Sequence, residues 1–333
     1  MSRRPLGNTG LVVSRLGVGL AAVGRPGYIT LGRERDLGPE RTPEALSARS
    51  RALLDAARAA GVRYVDVARS YGRAEEFLAR WLRERAVPRD ALTVGSKWGY
   101  RYTAGWAIDA RVHEEKELTL ARFAGQLAET RALLGGWLDL HQVHSATLES
   151  GLFENEPLLR ALVGARRAGD CRAVGLTVTG PRSADTIRRA LDVRVDGERV
   201  FDAVQATFNC LEPSCRAALR AARDAGLGVI AKEVFANGRL TDANGRPADT
   251  PLVAELGAVA AAVGCAVDQL ALAFVLAEPA VDVALSGAAT TAQLASHVAA
   301  LDLALDATTA ARLDALAEPV ERYWRTRATL AWS

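Results

Sequence analysis

The sequence predicts a (β/α)8 TIM barrel with an N-terminal β-hairpin and an extra C-terminal helix. Eight short apolar segments with strand character alternate with amphipathic helical patterns along the chain. Its 333 residues fit the ~250 residues plus insertions expected of such a barrel. No linker rich in Pro, Gly or Ser divides residues 1–333, so one domain is expected. An open doubly wound sheet is the alternative, but Gly17-Val18-Gly19 lacks the third glycine of its fingerprint.

The N-terminal segments predict a hairpin and then a loop. Pro5–Ser14 has an Asn-Thr-Gly turn between two extended pieces, which predicts a β-hairpin. The polar insertion Gly24–Arg41 shows no clean period and is predicted to be a surface loop. The eight barrel strands are predicted at Leu16–Leu20, Tyr64–Val67, Ala91–Ser96, Leu138–Val143, Ala173–Thr177, Phe201–Thr207, Gly228–Lys232 and Val281–Leu285.

Helical periodicity fills the intervals between these strands. The predicted helices are Glu44–Ala60, Arg73–Arg85, Leu118–Leu134, Glu156–Ala168, Ser183–Leu191, Ser214–Ala225, Leu252–Val263, Asp268–Leu276 and Thr290–Leu301, with Ala307–Ala317 as the extra helix before the tail. A long aromatic loop is expected between the third strand and the helix that follows it.

Composition indicates an ordinary soluble globular protein. The chain is 49% hydrophobic and 24% charged, and its 42 basic and 39 acidic residues are mixed, with a formal charge of +3. This balance gives little reason to expect a nucleic-acid partner. The four cysteines form no CxxC pair, and neither a signal peptide nor a run of about 18 apolar residues is visible, so a cytoplasmic protein without a membrane span is expected.

Polar side chains at the predicted strand ends are the candidates for chemistry, because barrel enzymes carry their active sites at the carboxyl ends of the strands. Asp66 closes a strand on whose inner face Val62 and Tyr64 precede it, and Tyr71 follows in the loop. The other strand ends present Lys97, His144, Thr177, Gln205 with Asn209, and Lys232 with Glu233.

Four of these residues form a coherent set for handling a proton. A free Tyr has a pKa of about 10, so Tyr71 needs a neighbouring cation to act efficiently at neutral pH. Lys97 is expected to be that cation, with Asp66 holding its ammonium and His144 orienting a carbonyl oxygen. Such a set suits hydride addition to an aldehyde or ketone, and the hydride must come from a cofactor.

These residues and their surroundings resemble the aldo-keto reductase family. The family's Asp, short spacer and Tyr-Gly appear as Asp66 to Gly72, its Lys as Lys97 in VGSKW, and its His as His144 in LDLHQVH. The resemblance also includes LGNTGLVVSRLG, VGLTVTG, QATFN and LSGAATTAQL, and it covers essentially the whole chain.

The resemblance implies a barrel closed at its bottom by the hairpin, with NADP or NAD bound without a Rossmann fold. It implies that Tyr71 is the general acid, that Lys97 and Asp66 tune it, and that His144 positions the substrate. Two of the implied cofactor contacts, Thr177 and Gln205, hold the nicotinamide carboxamide in the family. The cofactor positions are Gly19, Asp66, Thr177, Gln205, Phe235, Ser286, Gly287, Ala288, Thr290, Thr291, Gln293 and His297, and the small residues at 286–291 suit a pyrophosphate at a helix start.

Three positions depart from the family pattern. Val178 stands where the family usually has an Asn after strand five. Lys232 or Glu233, with Phe235 nearby, stands where the family usually has an aromatic residue after strand seven that stacks on the nicotinamide. The last βα turn has no Arg or Lys to bind a 2′-phosphate, because no basic residue lies between Arg246 and Arg312. Family habit places NADP first, whereas the missing guanidinium favours NAD.

Aromatic residues after the third strand and in the tail are predicted to wall a substrate pocket, since pockets are mostly apolar and aromatic. Simple loop packing is the alternative. The group comprises Trp98, Tyr100, Tyr102, Trp106, Tyr323 and Trp324, of which Trp98, Tyr100, Trp106 and Trp324 are the candidate substrate contacts.

The histidines do not predict a metal site. His141 and His144 are three apart on a strand and therefore point to opposite faces, so they cannot share an ion. His141 is expected to pack under a helix. His113 and His297 are expected to be solvated, with adenine as a further possible contact of His297.

The predicted function is hydride transfer between a nicotinamide and a small carbonyl compound or secondary alcohol, with Tyr71 as general acid or base. The first alternative is an NAD-dependent sugar dehydrogenase acting on a lactol. The second is a nucleotide-binding, redox-sensing module with little turnover, which Val178 and the missing stacking aromatic favour.

Overall fold

A closed barrel of eight parallel strands, surrounded by helices, forms the centre of the computed structural model, which describes residues 1–333. The strands in chain order are β1 Arg3–Pro5, β2 Val12–Ser14, β3 Leu16–Gly19, β4 Tyr64–Asp66, β5 Thr93–Trp98, β6 Tyr100–Tyr102, β7 Glu114–Lys116, β8 Leu140–Ala146, β9 Ala173–Val178, β10 Arg194–Val195, β11 Glu198–Arg199, β12 Ala203–Thr207, β13 Gly228–Lys232 and β14 Val283–Ser286. Around the barrel they run β3, β4, β5, β8, β9, β12, β13 and β14, which confirms the predicted fold class.

Twelve α-helices connect and cover the strands. They are α1 Arg33–Leu37, α2 Pro43–Ala59, α3 Ala74–Glu84, α4 Leu120–Leu134, α5 Glu156–Arg167, α6 Ser183–Leu191, α7 Arg216–Asp224, α8 Thr250–Val263, α9 Val267–Ala277, α10 Thr291–Ala299, α11 Ala307–Asp314 and α12 Val320–Ala328. Every predicted barrel strand is present, with ends that differ by at most three residues. The sequence analysis missed α1, α12 and two small antiparallel pairs, β6–β7 and β10–β11.

The N-terminal hairpin closes the bottom of the barrel. Its strands β1 and β2 pair antiparallel, and Leu6, Leu11 and Val13 between and within them are fully buried. These three side chains share an apolar cluster with residues of the barrel interior, among them Tyr64 and Ile230. Burial of apolar surface therefore holds the hairpin in place as a plug, as the sequence resemblance implies.

Aspartates that precede barrel strands tie neighbouring strands together at the bottom. Each carboxylate accepts a hydrogen bond from a backbone N–H of the adjacent strand and is also paired with an arginine, so its burial is compensated. The hydrogen bonds run from Val94 to Asp139 at 2.9 Å, from Val174 to Asp202 at 2.8 Å and from Val229 to Asp282 at 3.0 Å, and the arginines are Arg89, Arg166 and Arg223.

The insertion Gly24–Arg41 is not the surface loop that its lack of periodicity predicts. Arg25 and Arg33 within it are 2% and 0% exposed, and its last part forms α1. The guanidinium of Arg33 donates to the backbone carbonyls of Ala22, Arg25, Pro26 and Ser333. These hydrogen bonds offset the desolvation cost of burying its charge. The insertion follows β3 and therefore lies over the carboxyl ends of the strands, the open mouth of the barrel.

The C-terminal tail lies over the same mouth. Tyr28 and Ser333 exchange backbone hydrogen bonds of 3.2 and 3.1 Å, and Ile29 and Trp332 form an antiparallel bridge. This pairing joins residues some three hundred positions apart in the chain, so no local pattern in the sequence announces it. Together the insertion and the tail narrow the barrel mouth to a cavity.

No single helix has the length and apolar character needed to cross a membrane. Taken together, the segments Pro247–Val263 and Val267–Ala277 reach that length and composition, but they meet at an angle of 81°. Residues 270–276 of the second segment are buried within the protein.

Candidate active site

Four side chains from four different elements meet at the mouth of the barrel. Asp66 ends β4, Lys97 lies in β5, His144 lies in β8, and Tyr71 lies between β4 and α3. The ammonium of Lys97 is 4.7 Å from the centroid of the Tyr71 ring, and the His144 ring meets that ring edge to face at 5.6 Å. The structure thus brings together the set that the sequence analysis singled out.

Asp66 is the centre of a buried hydrogen-bond network inside the barrel. Its side chain is 3% exposed and accepts from Lys97, from the Tyr64 hydroxyl at 3.1 Å and from Gln205 at 3.0 Å, with Gln142 further away at 3.4 Å. Four donors around one carboxylate fix it in position. Sequence analysis did not identify Tyr64 or Gln142 as part of this network.

A glycine makes the approach of Tyr64 possible. A Cβ atom at Gly95 would lie 2.2 Å from the Tyr64 hydroxyl oxygen, so any larger residue there would displace the phenol. With Gly95 in place, the Tyr64 ring spans the barrel interior and its hydroxyl reaches Asp66. The strand TVGSKW therefore combines a small residue that admits one side chain with Lys97, which binds the same carboxylate.

The Tyr71 hydroxyl is a protonated phenol in this environment. Burial raises the pKa of Tyr71 well above its ordinary value, the Asp66 carboxylate raises it further, and the nearby Arg25 guanidinium opposes them. The sequence analysis gave the role of lowering this pKa to Lys97. Because the Lys97 ammonium is bound directly to Asp66, its charge is largely compensated, and Arg25 is the cation that opposes the rise.

His144 is held as a neutral imidazole. Burial lowers its pKa well below the ordinary value, and the positive charges of Lys97 and Lys232 lower it further. The chain bulges directly after it, where Ser145 has a φ of 56° and donates its N–H to the Thr177 hydroxyl at 2.7 Å. The bulge breaks the strand register and leaves the His144 ring beside Tyr71.

A cavity of about 370 Å³ lies above these residues. Its wall is rich in charged groups, most of them paired: Arg25 with Glu114 at 2.8 Å and Arg327 with Glu233 at 2.9 Å. Lys232 donates to the Thr207 hydroxyl at 3.0 Å and stays 3.9 Å from Glu233. The charged residues that line the cavity are Arg25, Asp66, Glu114, Lys232, Glu233 and Arg327.

Most of the predicted aromatic substrate contacts lie elsewhere. Trp98 is fully buried and packs against Phe123 of α4, because side chains on a strand alternate and Lys97 takes the inner face. Trp106 packs on Phe77 of α3, and Trp324 packs on Tyr323, so neither reaches the cavity. Of the four candidates, only Tyr100 contacts one of the four converging residues, the ring of His144 at 5.0 Å between centroids.

Tyr28 and Trp332 form the aromatic wall instead. They line the cavity and enclose Arg25, whose guanidinium carbon lies 5.2 Å from the Tyr28 ring and 4.9 Å from the Trp332 ring. Trp332 in turn stacks on His113 at 4.0 Å, which is 9% exposed and not solvated as predicted. His141, by contrast, packs against Phe123 of α4 as expected.

A second cavity of about 740 Å³ continues outward from the first. The two share Ala22, Thr30, Phe235, Gly238 and Gly287, so together they form one channel from the barrel mouth to the start of α10. A Cβ atom at Gly287 would meet nothing within 4 Å, which shows that the backbone there borders open space.

Ten of the twelve predicted cofactor positions line this channel, and two do not. Gly19, Asp66, Gln205, Phe235, Ser286, Gly287, Ala288, Thr290, Gln293 and His297 line one or both cavities. Thr177 is fully buried, its hydroxyl accepts from the Ser145 N–H, and it lines neither cavity. Thr291 is exposed and lines neither cavity, because it faces away on the first turn of α10.

Side chains at the start of α10 organise the outer cavity. The Thr290 hydroxyl caps the Gln293 N–H at 3.1 Å, and the Gln293 side-chain oxygen accepts from the backbone of Ala289 at 2.8 Å. His297 is buried and accepts from or donates to Ser286 at 2.8 Å, and its ring stacks on Phe235 at 4.3 Å. Its burial is contrary to the prediction that it is solvated, and burial lowers its pKa to about 4.

The sequence analysis missed Arg25, Tyr28, Glu114, Arg327 and Trp332 as residues that line the mouth. A signal was present for the first two, because the insertion follows the first barrel strand and loops at that end of a barrel carry function. Nothing comparable marks Trp332, whose position depends on the pairing of the tail with the insertion.

Comparison with known proteins gives concordant results. The model of the aldo/keto reductase family matches residues 27–318. L-Galactose dehydrogenase from Arabidopsis thaliana is 26% identical over 332 residues, covering 96% of this chain and 95% of that protein. An aldo-keto reductase from Bacillus halodurans in its holo form has a TM-score of 0.73 at 21% identity, covering 96% of this chain and 97% of the other. A Pseudomonas aeruginosa protein proposed to be an aldo-keto reductase has a TM-score of 0.62 at 22% identity, with 93% and 94% covered.

Proposed function

The chain belongs to the aldo/keto reductase family and is a nicotinamide-dependent oxidoreductase, and we propose that it interconverts a polyhydroxylated carbonyl compound, such as an aldose in its lactol form, with its redox partner. The observation that carries this proposal is the meeting of Tyr71, Lys97, Asp66 and His144 beneath a cavity with a charged wall. A charged, hydrogen-bonding wall favours hydroxylated ligands over apolar aldehydes.

Tyr71 is the proposed proton donor or acceptor at the substrate oxygen. In reduction its hydroxyl gives a proton to the oxygen as the carbon gains hydride, and in oxidation the phenolate takes the proton back. A raised phenol pKa suits the donor role directly, because the hydroxyl is protonated throughout the neutral range. In the oxidative direction the same shift makes the rate rise with pH.

His144 and the Lys97–Asp66 pair are the proposed positioning groups. The neutral imidazole donates one N–H toward the mouth and so orients the substrate oxygen beside the phenol. The Lys97–Asp66 ion pair holds the Lys97 ammonium 4.7 Å from the centre of the Tyr71 ring, and this contact fixes the position of the phenol.

The channel that the two cavities form together is the proposed site of the nicotinamide dinucleotide, which supplies or accepts the hydride when bound. Gly19 and Phe235 border its inner part, where a Cβ atom at Gly19 would come no closer than 3.6 Å to any atom. The turn from Ser286 to Thr290 borders its middle, where the N-terminus of α10 favours a pyrophosphate.

The relative from Arabidopsis thaliana supports the choice of a sugar substrate. It is named a dehydrogenase of L-galactose, and the alignment extends over nearly the whole of both chains. Sugar lactols present several hydroxyl groups, for which the cavity offers Arg25, Glu114, Lys232 and Glu233 as hydrogen-bond partners.

A panel assay tests the proposal. The protein is mixed with each dinucleotide and with matched sets of aldoses, lactols, aliphatic aldehydes and apolar ketones, in both directions. We expect kcat/KM for the best hydroxylated substrate to exceed that for apolar carbonyls of similar size by on the order of 100-fold. A preference for apolar aldehydes would contradict the substrate class and leave the reaction class intact.

The same assay addresses the redox-sensing alternative. A module that holds the nucleotide for a partner would bind NAD or NADP and give no turnover above that of a Tyr71→Phe variant on any substrate. Turnover that depends on Tyr71 would exclude it.

A further inference from the structure

We propose that the carboxylate of Asp36 makes this enzyme select NAD over NADP. The proposal rests on the proposed function, because it concerns the adenosine end of the same dinucleotide channel. It also reverses the order in which the sequence analysis placed the two cofactors. The residue comes from the insertion after the first barrel strand and not from the last βα turn.

Asp36 projects from α1 across the outer cavity to the start of α10. Its Oδ2 accepts a hydrogen bond of 2.6 Å from the side-chain nitrogen of Gln293, and both residues line the cavity. The orientation of Gln293 is fixed from the other side, since its oxygen accepts from the backbone N–H groups of Ala289 and Thr290 at 2.8 and 3.3 Å. The Gln293 side chain therefore presents its N–H donors to the Asp36 carboxylate.

The charges that line the outer cavity sum to a negative value. Arg33 and Arg35 are the two cations, and Asp36, Asp242 and Asp268 are the three carboxylates. The guanidinium of Arg33 is fully buried and donates to backbone carbonyls, so it cannot turn toward a ligand. The remaining cation is 60% exposed and already lies 3.4 Å from Asp36 and 3.9 Å from Asp242.

A 2′-phosphate would enter this cavity at a cost. A phosphate monoester carries about −1.5 to −2 charges at pH 7, and the partly buried Asp36 carboxylate, 15% exposed, would repel it with little screening. A ribose 2′-hydroxyl, in contrast, can donate a hydrogen bond to the same carboxylate. An acidic side chain at the ribose is how other dinucleotide sites favour NAD, whereas a guanidinium accommodates the phosphate.

Arg35 could favour NADP instead of NAD, and this is the outcome against which the proposal is tested. If this exposed guanidinium swings away from its two carboxylates and binds the 2′-phosphate, the enzyme prefers NADP, and removal of Arg35 abolishes that preference. The two residues are adjacent on α1, so single variants separate their contributions.

The experiment measures dissociation constants of NADH and NADPH by quenching of intrinsic fluorescence, for the wild type and for Asp36→Asn, Asp242→Asn and Arg35→Gln. Asp242→Asn is the matched control, because it removes the same charge from a side chain that is 86% exposed and does not contact Gln293. We expect the wild type to bind NADH on the order of 100-fold more tightly than NADPH.

The Asp36→Asn substitution is expected to reduce that preference at least tenfold, mainly by improving NADPH binding. The Asp242→Asn control is expected to change it by less than about threefold, since solvent screens an exposed charge. A wild type that prefers NADPH, an Asp36→Asn variant with an unchanged ratio, or loss of NADPH binding in Arg35→Gln alone would each overturn the proposal.

Binding ratios do not depend on turnover, so this test is separate from that of the proposed function. Expected ratios without turnover on any substrate would support the role of Asp36 and refute the proposed reaction. Turnover with NADPH in preference to NADH would refute the role of Asp36 and leave the reaction standing.

Discussion

Replacing Tyr71 by Phe is expected to lower kcat by about 10²–10⁴-fold, the range that general acid–base catalysis contributes. The substitution removes one hydroxyl and keeps the ring that packs against His144 and Lys97, so the fold and the dinucleotide affinity are expected to stay unchanged. Steady-state kinetics in both directions, together with fluorescence titration of the dinucleotide, measures both quantities.

A second Tyr→Phe variant is the matched control. Tyr323 is buried in α12 and its hydroxyl accepts from Asn209 at 3.2 Å, away from the four converging residues. Tyr323→Phe is expected to keep kcat within about threefold of the wild type, as a substitution away from the reacting groups should. Turnover by Tyr71→Phe equal to that of this control would refute the role of Tyr71 as acid or base.

The pH dependence follows from the direction of the Tyr71 shift. Because burial raises the phenol pKa above about 10, the hydroxyl stays protonated at neutral pH and reduction is expected to be insensitive to pH there. Oxidation needs the deprotonated phenol, so its kcat is expected to rise about tenfold per pH unit below the pKa. The pH dependence of oxidation should vanish in Tyr71→Phe.

Replacing Lys97 by Met is expected to destabilise the protein by about 3–5 kcal/mol and to lower kcat by at least about 10²-fold. The side chains of Lys97 and Asp66 are 0% and 3% exposed, so the single change leaves a carboxylate in the barrel interior without its cation. Urea denaturation gives the free energy of unfolding, and steady-state kinetics gives the loss of activity.

The double variant Asp66→Asn, Lys97→Met separates stability from catalysis. It removes both charges and keeps an oxygen that can accept from Tyr64 and Gln205, so most of the lost stability is expected to return, to within about 1–2 kcal/mol of the wild type. Activity should not return with it. Recovery of activity together with stability would show that the pair is structural only.

The fold and the converging residues could be predicted because each has a local signature. Strand periodicity predicted Tyr64–Val67 and Ala91–Ser96, which the structure has as Tyr64–Asp66 and Thr93–Trp98. The rule that chemistry lies at strand ends selected Asp66, Lys97 and His144. Alternation of side chains along a strand also separates Lys97 from Trp98, and applying it to Trp98 would have excluded that residue from the cavity.

The cavity wall could not be predicted because long-range contacts form it. Tyr28 and Trp332 meet only because the insertion and the tail pair across the mouth, and Arg33 is buried only because carbonyls of both segments surround it. A charged, irregular segment ordinarily predicts a surface loop. The same contacts bring Asp36 to Gln293, which no spacing in the sequence connects.

A crystal structure of the protein with NADH and an unreactive hydroxylated analogue tests the central claim most directly. We expect the nicotinamide ring in the inner cavity beside Tyr71 and His144, the pyrophosphate at the turn from Ser286 to Thr290, and the analogue's oxygen within hydrogen-bond distance of the Tyr71 hydroxyl. A dinucleotide bound outside this channel, or an analogue whose oxygen lies remote from that hydroxyl, would contradict the account.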